Sequence, residues 1–167
     1  TEDWASMRGV RIFADQTVIG AGTACCLVAL LVVWLLSERL DPGLARTFYI
    51  GLSMVPLLAL MRVRASNVRA LGGVAAALLP DRVVRQLALL IGAGGFVLLL
   101  PAALTPEMMM LVALGGAGLA LALVSRSQAL LWPPAVRTVE AVMHRRTWLV
   151  TAMPLLLFAA IRIVNDQ

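Results

Sequence analysis

The sequence predicts an all-α, polytopic transmembrane protein of about five spans plus short cytoplasmic interfacial amphipathic helices. Three observations predict it. The 167 residues are 61% hydrophobic and 14% charged, against roughly 45–50% and about 25% in soluble domains. The mean hydropathy is +0.93, and long apolar runs recur, most near the roughly 18–20 residues with which a helix crosses a bilayer. All fourteen basic residues are arginine, and they flank the apolar runs as topology-setting charges do. This balance excludes a soluble globular domain, a disordered chain and a nucleic-acid-binding module.

In chain order, residues 3–14 place Trp4, Met7, Val10 and Phe13 at three-residue spacing, with Arg8 and Arg11 elsewhere. That pattern predicts an amphipathic helix lying in the interface. The first span is predicted at about 17–36, uncharged throughout and closed by Ser37-Glu38-Arg39. The second, about 44–61, starts behind Asp41-Pro42, a cap residue followed by a proline suited to the first helical position. Residues 66–79 align Val68, Leu71, Val74 and Leu78 and predict a second interfacial helix. The third span covers about 83–104 and the fourth about 108–124. Thr105-Pro106-Glu107 repeats the cap-and-proline signal and leaves a tight turn between them. Residues 133–144 open on two prolines and predict a third interfacial helix. The fifth span, about 147–163, is short, and Arg162 is expected to snorkel to the surface. The whole chain, 1–167, is expected to form one integral membrane domain. Glu2 and Asp3 have the wrong sign for a secretory signal, so Thr1 is expected to follow a removed initiator methionine.

Five spans put the termini on opposite sides. With the N-terminus in the cytoplasm, eleven arginines face the cytoplasm and three the other side, the bias that the positive-inside rule requires. The expected location is a bacterial inner membrane, crossed several times. Arg62, Arg64, Arg69, Arg82, Arg85, Arg137, Arg145 and Arg146 are the expected membrane-interface basic residues, facing anionic headgroups.

Little in the spans can carry chemistry. Every Asp and Glu lies outside a span or at its end, which argues against a proton relay or a carboxylate ion site. His144 is the one histidine, so the chain cannot by itself hold a bis-histidine haem, and a catalytic zinc would lack ligands. No cofactor, no metal site and no catalytic residue is expected. Cys25 and Cys26 are the weak metal candidates, since thiolates select soft ions. Adjacent helical positions diverge by about 100°, and a cysteine in a span is ordinarily a small apolar residue. The vicinal pair in the first span resembles, in that single detail, the small mercury-uptake membrane proteins, whose second cysteine pair is absent here. The glycine clusters are the more informative feature: Gly20 and Gly22; Gly92, Gly94 and Gly95; Gly115, Gly116 and Gly118. Lipid supplies no hydrophobic drive between helices, so close packing relies on small residues. The expected function is a non-catalytic integral subunit of a multi-component inner-membrane complex, of the secretion, transport or respiratory kind, packed against other membrane subunits. The alternative is a small homo-oligomeric channel or transporter, with soft-metal handling through Cys25 and Cys26.

Overall fold

The computed structural model describes residues 4–36, 41–99, 105–144 and 146–153. Among these residues the regular structure is all helical: α1 (Trp4–Leu36), α2 (Pro42–Ala70), α3 (Val74–Leu99), α4 (Pro106–Leu131) and the short α5 (Pro134–Thr138), followed by helical residues at 146–153. The first four are long and apolar enough to cross a membrane. They run for 33, 29, 26 and 26 residues, beyond the roughly 20 that a bilayer core needs.

Two compact units emerge, one of residues 15–132 and one joining the described residues before 15 to those after 132. In the larger unit α4 is the central helix. It runs parallel to α2, with Met61 of α2 packed on Ala120 and Val124 of α4. It runs antiparallel to α3, where Gly92 meets Val112 and Gly116 meets Ala88. The caps follow the sequence. The Asp41 carboxylate accepts the Gly43 N–H, and the Thr105 hydroxyl accepts the Met108 N–H, satisfying donors that a first helical turn leaves free.

The helix bounds differ from expectation at instructive places. Residues 4–14 are helical but belong to α1, because no glycine or proline between Ala14 and Thr17 breaks the helix. The expected helix 66–79 is two helix ends and a turn. Gly72 takes φ +83°, the Gly73 N–H reaches Val68 O, and the Gly72 N–H reaches Arg69 O. This is the Schellman geometry, which favours glycine at the left-handed position. Its result is a helical hairpin, so the second and third spans extend to Ala70 and back to Val74. Of the expected helix 133–144 only α5 forms. Beyond it the Val142 N–H bonds to Ala5 O and the Arg8 guanidinium donates to Val139 O, so α1's first turns take up backbone groups that a helix would have paired. Residues 100–104 of the third span and 154–163 of the fifth lie outside the described residues, as do Arg39, Arg145 and Arg162.

Among the described residues, two prolines sit inside helices. Pro56 lies inside the continuous helix α2. Pro80 opens a single π turn, Pro80–Val84, within α3, closed by the Arg85 N–H on Pro80 O. A proline has no N–H and crowds the preceding turn, and widening the helix by one residue is one way to absorb it.

Candidate functional site

The arginine-bearing ends of α2, α3 and α4 come together because the Gly72–Gly73 turn folds α3 back along α2. Their centre is well packed: Met61, Val68, Ala77, Val124 and Trp132 are buried, and so is the polar Gln128. Arginines at this end adopt three different arrangements. Arg64 turns inward, its guanidinium donating to the Ser125 hydroxyl, which in turn donates to Leu121 O on α4. Arg85 pairs with Asp81 one turn earlier, N to O 3.3 Å. Arg62, Arg69 and Arg82 instead line a cleft of about 260 Å³ between the last turns of α2 and the first turns of α3. Asp81 also lines it, and buried Met61 and Ala77 contribute to its apolar wall. Among the described residues these three arginines have no carboxylate partner.

The α2–α4 seam beside this cleft is polar as well as buried. Arg64 Nε, Asn67 Nδ2 and Gln128 Nε2 are enclosed without an acceptor among the described residues. The sequence reading placed Arg64, Arg69, Arg82 and Arg85 in one class of interface residues. The structure separates them by partner. It describes Arg146 as exposed, while the side chain of Arg137 and all of Arg145 lie outside the described residues.

The eight span glycines also divide. A methyl group on Gly22 would come within 3.2 Å of Pro56 Cα, one on Gly116 within 3.3 Å of Ala88 Cβ, and one on Gly92 would collide with Val112. These three are internal contacts. For Gly20, Gly94, Gly95, Gly115 and Gly118, no atom of the described residues lies within 4 Å of where a Cβ would stand.

The cysteines separate in the same way. Cys25 is exposed, and Cys26 Sγ donates to Leu52 O at 3.4 Å. Leu52 is four residues before Pro56, so its carbonyl lacks the N–H that a regular helix would supply. Gly22, one turn before Cys26, rests on Pro56 itself. The first helix thus meets α2 beside Pro56, and Cys26 partly replaces the missing donor. The sequence held the signal, a proline inside an apolar run, but not which helix would answer it. Among the described residues no three His, Cys, Asp or Glu side chains converge as a metal-ligand set.

In the smaller unit Gly9 lies against the Val142 carbonyl and the Trp148 ring. Trp148 stacks tilted on Phe13, centroids 5.5 Å apart, and takes His144 edge-on at 6.1 Å. His144 is exposed and its ring contact is aromatic. Comparison with protein-family models, with curated proteins and with solved structures gave no match.

Proposed function

We propose that this chain is a non-catalytic integral subunit of a multi-component bacterial inner-membrane complex, with its N-terminus in the cytoplasm and other membrane subunits packed on its helices. The observation that carries the reading is the division among the glycines. Three of the eight serve contacts inside the chain, and five meet no other part of the described residues. Small residues in lipid stabilise by letting another backbone approach, and the described residues do not use that approach at Gly94, Gly95, Gly115 or Gly118. Around them the helix faces are apolar and exposed, with Ile91 at 72% and Leu98 at 82%.

The orientation rests on the arginines. If α1–α4 cross in alternation, eight of their nine arginines fall at ends on the N-terminal side, and Arg46 alone falls opposite. That imbalance directs the N-terminus to the cytoplasm.

Purification of the tagged chain from its native membranes in mild detergent, with mass spectrometry of what accompanies it, tests the proposal. The expected result is a fixed stoichiometry with larger membrane subunits. The chain alone as a monomer would contradict it. Multiples of this chain alone would favour the homo-oligomeric channel instead.

A further inference from the structure

We propose that the cleft between the end of α2 and the start of α3 is a binding site for a phosphate-bearing anion, held by Arg62, Arg69 and Arg82. Topology-setting charge explains arginines at helix ends, but it does not require that three of them line one concavity. Here they do, while Arg64 at the same level is committed to Ser125. Asp81, the acid of the cleft, is matched by Arg85. The positive charge of the other three is therefore uncompensated among the described residues.

The chemistry of the site selects its ligand. Guanidinium groups present paired N–H donors that match phosphate oxygens. Apolar walls concentrate the field of the three charges into the cleft. Placement adds to this. The cleft opens where the apolar stretches of α2 and α3 give way to arginine, the depth of lipid phosphates in a bilayer, and basic pockets between helices at that depth bind anionic headgroups. The π turn at Pro80–Val84 lies in the wall that carries Asp81 and Arg82. Such turns recur at functional sites because they redirect side chains that a regular helix would send elsewhere. The ligand's phosphate can come from a lipid headgroup or from a soluble anion, and both sources are open to test. The site belongs to the single chain and is independent of whether a partner subunit exists.

The test uses the full chain purified in neutral detergent, with native mass spectrometry counting retained lipid. Phosphatidylglycerol is offered against phosphatidylcholine, and inorganic pyrophosphate is titrated into the lipid-free protein by calorimetry. Each arginine near a lipid surface contributes about a fivefold effect, so R62Q/R69Q/R82Q is expected to lose about a hundredfold in affinity for the anionic ligand. R46Q/R126Q removes charge from arginines of the same unit that do not line the cleft and is expected to retain binding. The triple lysine variant of the cleft keeps the charge and loses the forked donors, and is expected to bind about tenfold more weakly than wild type. Arginine-dependent retention of phosphatidylglycerol alone supports a lipid source, and arginine-dependent pyrophosphate binding supports a soluble one. Equal losses in the two glutamine variants, wild-type binding by the lysine variant, or no preference for either anion overturns the site. Helical circular dichroism checks each variant. If the triple glutamine variant does not fold, R69Q and R82Q singly are each expected to lose about fivefold.

Discussion

The arginine end of the α2–α3–α4 unit and the far end of α3 differ in how they are held. At the arginine end, Met61, Val68, Ala77, Val124, Trp132 and the polar Gln128 are buried, and Arg64 bonds to Ser125. At the far end, Val97, Leu98 and Leu99 are exposed, the last at 80%, and no residue of α3's final fifteen is buried. The more apolar region is therefore the less packed one. Burial of apolar surface is driven by water, and at the arginine end helix surfaces mix apolar and charged residues where water can reach. Lipid is as apolar as leucine and gives no such drive. On the proposed reading, another helix that fits its glycines stabilises the far end.

The largest expected effect is in the packed region. Met61→Ala removes a side chain 1% exposed at the α2–α4 contact, and is expected to cost about 2–5 kcal/mol. Leu98→Ala, at 82% exposure, is expected to change stability by less than about 0.5 kcal/mol. Denaturing-detergent titration monitored by circular dichroism measures both, and equal costs would remove the distinction between the two ends. A smaller effect is expected at the polar seam. Ser125→Ala takes the acceptor from the Arg64 guanidinium and is expected to cost about 1–3 kcal/mol. Adding Arg64→Leu should recover part of that loss, because the unpaired donor is then gone. A double-mutant cycle in the same assay reads the recovery, and strict additivity would mean that the pair is not coupled. The smallest effect concerns α1. Cys26→Ala leaves Leu52 O without its thiol donor and is expected to cost about 0.5–1.5 kcal/mol, while Cys26→Ser retains a donor and Cys25→Ala is expected to be neutral. A larger loss from Cys25→Ala than from Cys26→Ala would reverse the assignment of the two thiols.

Most of the membrane-scale pattern was legible from the residues. Apolar run length marked the four long helices, and Asp41-Pro42 and Thr105-Pro106 marked two of their starts by their own capping chemistry. Boundaries beyond the apolar runs were less legible. Leu71-Gly72-Gly73 carries a helix-stop signal, but the apolar stripe from Val68 to Leu78 continues across it, and periodicity does not register a reversal of direction. The segment after Pro134 has helical periodicity, yet its backbone groups at Val139 and Val142 are taken by α1 from more than 130 residues away. A contact that distant leaves no local trace. At the candidate cleft, the arginine types were visible and their partners were not. Sequence spacing cannot tell Arg64, bonded to Ser125, from Arg62 and Arg69, which line the cleft.

The span glycines are of two kinds: one packs the described helices against each other, and on the proposed reading the other receives a partner. The most direct measurement compares Gly116→Leu with Gly94→Leu for both the stability of the isolated chain and its co-purification with partner subunits. Gly116 faces Ala88 at contact distance, and Gly94 has no neighbour within 4 Å among the described residues. The predicted result is a destabilised chain for Gly116→Leu, and for Gly94→Leu a chain as stable as wild type that no longer assembles. Normal assembly of Gly94→Leu, or equal stability of the two variants, would contradict the claim.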